Sequence, residues 1–156
     1  MKQFFSYFLF VVLIATLISC DRKKVFEAYH KIDENGWNKD SVVVFNVTLT
    51  DTIKNNNLYV NIRNKGNYPY SNIYLFLSVG APDGTLRTDT VEFTLADPSG
   101  KWRGSGIGGL YDNQIPYKSS VYFPHKGDYK FMIKHGMRDN VLQGIRDVGF
   151  RVEKTY

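Results

Sequence analysis

Cysteine occurs once in this 156-residue chain, histidine three times and proline five times. One cysteine cannot close an intramolecular disulfide, and no CxxC pair or Cys/His ligand spacing is present. A disulfide scaffold and a structural zinc site are both excluded. His30, His125 and His135 have no histidine or cysteine partner at i+2 or i+4, and each reads as a satisfied histidine, not a ligand or base. GxSxG, HExxH and the phosphate-loop signature are absent. The acids Asp83, Asp97, Asp112, Asp128 and Asp139 stand singly, and nothing selects the facing carboxylate pair that glycoside hydrolysis needs. The formal charge of +5 is spread along the chain without a dense Lys/Arg stripe, so nucleic acid is not an expected partner.

What is abundant is apolar and aromatic: 43% hydrophobic residues, with eleven Tyr, eleven Phe and two Trp. That supports a packed core and argues against disorder. The chain opens Met1-Lys2-Gln3, and residues 4–18 carry no charge, which are the n- and h-regions of a secretory signal. The run is shorter than the ~20 residues that span a bilayer comfortably. Leu17-Ile18-Ser19-Cys20 then forms a bacterial lipobox, with the thiol at the end of the apolar run. The expectation is a signal peptide over 1–19, cleavage after Ser19, and a diacylglycerol plus an N-acyl chain on Cys20. Loss of Lys2 with the signal lowers the charge from +5 to +4. Several acyl chains at ~0.8 kcal/mol per buried CH₂ make such an anchor effectively permanent. Residues 20–31 are expected to be the lipidated cysteine and a tether. The basic Arg22-Lys23-Lys24 suits either anionic headgroups or plain solvation.

Residues 32–156 read as one all-β domain. Period-two alternation marks strands at 43–49, 58–63, 73–79, 91–95, 129–134 and 148–152, with a further one at 117–123. The 73–79 run is apolar on both faces, which predicts a central strand. Asn55-Asn56-Asn57, Lys65-Gly66-Asn67, Pro82-Asp83-Gly84, Pro98-Ser99-Gly100 and Lys126-Gly127-Asp128 supply turns between the runs. Only 136–144 reads as helical, two turns at most. Seven or eight strands with no long helix between them predict an antiparallel β-sandwich, immunoglobulin-like or jelly-roll.

Residues 104–109 match GxGxxG literally. The dinucleotide fingerprint requires those glycines to open a helix after a strand. Residues 110–116, next in the chain, read instead as loop and then extended backbone, so a bent loop is expected and no nucleotide. Tyr68, Tyr70, Tyr74, Trp102, Tyr111 and Tyr117 are the types that build a sugar-stacking platform, and equally the types that fill half-buried strands. Tyr, Trp, Pro and Gly concentrate in 69–72 and 97–112, which makes Tyr68, Tyr70, Trp102, Arg103 and Tyr111 the candidate partner contact.

Three segments and a dipeptide carry a family resemblance: Ile62-Arg63-Asn64 on to Tyr68-Pro69-Tyr70-Ser71-Asn72; Asp89-Thr90-Val91-Glu92-Phe93 on to Ser99-Gly100-Lys101-Trp102-Arg103-Gly104; Gly127-Asp128-Tyr129 through Met137-Arg138 to Val148-Gly149-Phe150; and Gly36-Trp37. In order, these resemble the gliding-motility lipoprotein GldH family of the Bacteroidota. The resemblance implies a non-enzymatic envelope lipoprotein needed for gliding and linked to type IX secretion. It further implies other gliding lipoproteins as partners and no cofactor beyond the lipid on Cys20. Asp21 points to the inner membrane under the enterobacterial sorting rule. Absence of an acidic cluster after Cys20 favours the periplasmic leaflet of the outer membrane. A carbohydrate-binding envelope lipoprotein is the competing expectation.

Overall fold

The structure, a computed structural model, describes residues 21–155; the expected signal peptide and Cys20 lie outside the described residues. Ten strands run in the order β1 (Lys24–Lys31), β2 (Trp37–Asn38), β3 (Val43–Leu49), β4 (Asn56–Lys65), β5 (Asn72–Gly80), β6 (Leu86–Thr94), β7 (Leu110–Val121), β8 (Gly127–His135), β9 (Val141–Leu142) and β10 (Ile145–Lys154). No helix occurs among the described residues. Alternation explains the strands directly: β3 buries Val43, Phe45, Val47 and Leu49 and exposes Val44, Asn46 and Thr48, as a half-buried strand must.

The eight long strands form four nested antiparallel couples: β1 with β10, β3 with β8, β4 with β7 and β5 with β6. β10 also pairs with β4, and β8 with β5, which gives two four-stranded sheets ordered β1-β10-β4-β7 and β3-β8-β5-β6. A long hairpin folded in half and rolled into two sheets is a jelly roll. Strand order therefore decides between the two expected connectivities. The sheets face each other across aromatic packing, with Phe131 on Phe150 at 4.3 Å and Phe45 on Phe150 at 6.2 Å between ring centroids.

Four expectations need correction. Lys24–Lys31, read as tether, is edge strand β1, because Phe26 and Ala28 pack on the core opposite Val152 and Phe150. Residues 136–144 are not helical. Tertiary pairing overrides the local pattern: Val141 and Leu142 pair with Asn38 and Trp37. Leu142 and Trp37 are buried there. β5 is an inner strand, but its second face is open to solvent, leaving Tyr74 and Phe76 each 39% exposed. β6 and β7 begin earlier than read, at Leu86 and Leu110. The polar run Asp112-Asn113-Gln114 hides the alternation in β7, while pairing with β4 supplies the ladder.

Strands running back and forth give the sandwich two ends, about 30 Å apart at ~3.3 Å per residue over the ten residues of β4 or β10. Residues 21–23 and loops 50–55, 81–85 and 122–126 gather at one end. Segments 32–42, 66–71, 95–109 and 136–144 close the other. At the first end Arg151, its side chain 10% exposed, bonds Glu27 at 2.9 Å, Glu153 at 2.6 Å and Asp21. Burial opposes the guanidinium charge, but its bonds to Asp21 and Glu153 and the field of Glu27 outweigh this and hold it above its ordinary value. The same Arg151 bond holds the Asp21 carboxyl below the usual carboxylate range.

Candidate functional site

The end opposite Asp21 brings four of the five expected contact residues into one aromatic chain. Ring centroids are 5.8 Å apart for Tyr68 and Tyr70, 6.3 Å for Tyr68 and Trp102, and 5.7 Å for Trp102 and Tyr111. Arg103 is exposed beside Trp102. Each ring is held by its own local structure. A turn after β4 bonds the Tyr68 amide to the Lys65 carbonyl at 3.1 Å, and the Tyr68 hydroxyl donates to the Asn72 carbonyl at 2.9 Å. Tyr68 is only 4% exposed, so it is the floor of the cluster and not a contact surface; burial raises its phenol well above the ordinary value. The Tyr70 hydroxyl donates to the Asp139 carboxylate at 2.7 Å, a bond that raises the Tyr70 phenol.

Trp102 sits on a tight hairpin, not a loose loop. Ala96 bridges Trp102. At the tip the Asp97 carboxylate accepts from Ser99 Oγ at 2.7 Å, the Ser99 amide at 2.9 Å and the Lys101 amide at 3.0 Å. The Ser99 and Lys101 bonds hold that carboxyl below the usual range. A second hairpin comes next, closed by a Ser105–Asp112 bridge. The glycines of 104–109 serve this turn: a Cβ on Gly106 would run into the Leu110 carbonyl, and Gly108 and Gly109 have φ of 67° and 79°. No helix opens after them, so no pyrophosphate cradle forms. The tip presents Ile107, 95% exposed. Tyr111 stands at the start of β7, paired with Asn64.

Two residues that frame the site escaped the sequence reading. Asn113 is buried and donates to the Ile62 carbonyl at 3.1 Å and to Asn64 Oδ1 at 2.9 Å, tying β7 to β4 beneath Tyr111. Gly144, with φ 83°, lies where a Cβ would come 2.6 Å from Tyr68 Cα. In the sequence Gly144 only ends the 136–144 span read as helical, and nothing local signals Tyr68 as its neighbour.

A sugar platform needs flat, exposed, aligned rings. The planes here are inclined by 72°, 49° and 36°. Tyr74 stands apart on the outer face of β5, bonded to Glu92 at 2.8 Å, and Tyr117 bonds Asp89 at 2.5 Å. A cavity of about 380 Å³ holds Asp83, Asp89 and Tyr117, so two carboxylates do share one cleft. Both carboxyls are held down by their neighbours. The Thr85 amide and hydroxyl hold Asp83 below the usual range, and Lys118 and Tyr117 do the same to Asp89, whereas an acid–base pair needs one carboxyl raised. His135 is buried on the inner face, its Nε2–H donating to the Trp37 carbonyl at 3.0 Å. Among the described residues no three His, Cys, Asp or Glu side chains gather as a metal site. The end of the sandwich thus gathers Trp102, Tyr70, Tyr111, the exposed Arg103 and the exposed Ile107, residue types enriched in protein-binding patches.

Comparison with known proteins gives the same domain a family. The family model described as GldH lipoprotein matches residues 24–152. A gliding motility lipoprotein GldH homolog of Christiangramia forsetii is 40% identical over 99% of both chains. The gliding motility lipoprotein GldH of Flavobacterium johnsoniae is 38% identical over 92% of this chain and 94% of its own. Among solved structures, a family GH115 glucuronidase covers 88% of this chain with 18% of its own length, at 14% identity and a TM-score of 0.44, too slight a likeness to carry an argument.

Proposed function

This chain belongs to the GldH lipoprotein family, and from that membership we propose that it is a non-enzymatic assembly component of the gliding and type IX secretion machinery. The family places it among lipid-anchored cell-envelope proteins with a role in gliding motility. In our reading the acyl chains sit on Cys20, in the periplasmic leaflet of the outer membrane, and the partners are other gliding lipoproteins. The observation that carries the assembly role is the aromatic cluster of Tyr68, Tyr70, Trp102 and Tyr111 at the end of the sandwich opposite Asp21. An anchor at one end leaves that patch facing away from the membrane, where a neighbour can reach it. Tyr70, Trp102, Arg103 and Tyr111 supply the contact, with Tyr68 as their support.

The test is cross-linked recovery from native membranes, comparing the unaltered protein with an Arg103→Glu, Ile107→Asp double variant. Both side chains are exposed, so folding is spared. Gliding or secretion components should come down with the unaltered protein and be depleted with the variant. Equal recovery, or recovery of glycan alone, overturns the reading.

A further inference from the structure

The end that carries Asp21 has chemistry of its own. Asp21 is pinned to β10 by Arg151, and the Lys154 amide bonds the Lys23 carbonyl at 2.9 Å. Consecutive Cα atoms are about 3.8 Å apart, so Cys20 adjoins a fixed residue, with no slack between anchor and domain. Loops 50–55, 81–85 and 122–126 lie at this end, and with them three exposed apolar side chains on those loops or at the start of β6. Ile53 is 88% exposed, Leu86 63% and Tyr122 57%. The loop that carries Ile53 also lines, through Thr50, Asp51 and Lys54, a cavity of about 310 Å³ that holds Lys24, Lys54 and Lys154 with Thr48, Thr50 and Asn56. Its one acid, Asp51, is engaged by the amides of Ile53 at 2.9 Å and Lys54 at 3.3 Å. Lys24 also reaches Glu27 at 3.5 Å.

We propose that this end is a bilayer-docking face: the lysine-rimmed cavity takes the phosphate of an anionic lipid headgroup, and Ile53 enters the acyl layer beside the chains on Cys20. Exposed apolar side chains at the same end as a lysine-lined cavity match an interface whose surface is anionic and whose interior is hydrocarbon. Tyr122 suits the headgroup level, where an amphipathic ring is at home. The sandwich then stands end-on, lifting Trp102 and Ile107 about 30 Å above the headgroups. The inference rests on acylation at Cys20 and adds that the domain lies on the bilayer without a spacer.

Acylation occupies the native thiol, so Ile53→Cys or Ile107→Cys gives a unique site for a nitroxide on the full lipidated chain. In vesicles of phosphatidylethanolamine and phosphatidylglycerol, the label at 53 should be shielded several-fold from an aqueous nickel chelate and open to oxygen. The label at 107 should stay aqueous. Equal chelate access at both positions overturns the docking. Adding Lys54→Glu and Lys154→Glu should lift the label at 53, and unchanged immersion, or equal immersion in phosphatidylcholine vesicles, overturns the headgroup site. Flotation separates the premise: a chain that fails to float removes the anchor and the docking together, whereas one that floats with residue 53 aqueous removes only the docking.

Discussion

His135 shows how much one buried polar side chain can carry. Its ring lies 5.3 Å from Trp37, edge to face, and Nε2–H is committed to the Trp37 carbonyl. Nδ1 is buried without a partner, so a second proton would place a charge and an unanswered donor in the core. Burial accordingly pushes His135 below its ordinary value of 6.5; the Trp37 bond and Asp139 resist that shift and Lys134 adds to it. The unfolded chain then binds a proton that the folded chain refuses. Stability from this residue is complete above about pH 6.5 and drains as the pH falls toward the folded value. Denaturant titrations at about pH 7 and about pH 5 should show the unaltered protein losing more stability than His135→Gln. Equal losses would place the acid sensitivity elsewhere. The depressed carboxyls of Asp83, Asp89 and Asp97 act at lower pH and leave that window clear.

At the level of elements, the two sheets share one buried core in which aromatic rings pack among Val, Ile and Leu side chains from both sheets. β10 and β8 are inner strands of opposite sheets, and Phe150 and Phe131 meet across the gap at 4.3 Å, both almost wholly buried. Phe150→Ala should cost about 3–5 kcal/mol by denaturation, the usual penalty for emptying a packed aromatic site. A loss under about 1 kcal/mol would mean that the sheets are not held there. The short pair β2–β9 is a different device. It lays Trp37 over the end of the core, where the indole Nε1–H donates to the Ser41 carbonyl at 3.1 Å, and so closes that end with two short paired segments.

For the whole molecule, the decisive feature is polarity from end to end. One end adjoins the lipobox cysteine and the other carries the aromatic patch, with a stiff double sheet between. Cys20→Ala should therefore move the protein from the membrane to the soluble fraction while leaving its melting curve unchanged. The changed residue precedes every strand, so the fold does not depend on it. Continued membrane fractionation of the variant would dismiss Cys20 as the anchor.

Local chemistry made much of this legible. Alternation located β3, β4, β5, β8 and β10 because each buries one face against a single core, and turn residues bounded them. The lipobox and the family resemblance needed only the order of residues along the chain. Three things required tertiary structure. Tyr68 and Trp102 are 34 positions apart and touch because β5 and β6 carry the chain away and return it to the same end. The segment after Asp21 is a strand because β10 offers it an open edge, a partner more than a hundred residues away. Jelly roll over immunoglobulin-like order is likewise a matter of which edges meet. Side-chain period is a local property that backbone geometry imposes; pairing is a long-range choice, made only when the whole hairpin folds back on itself.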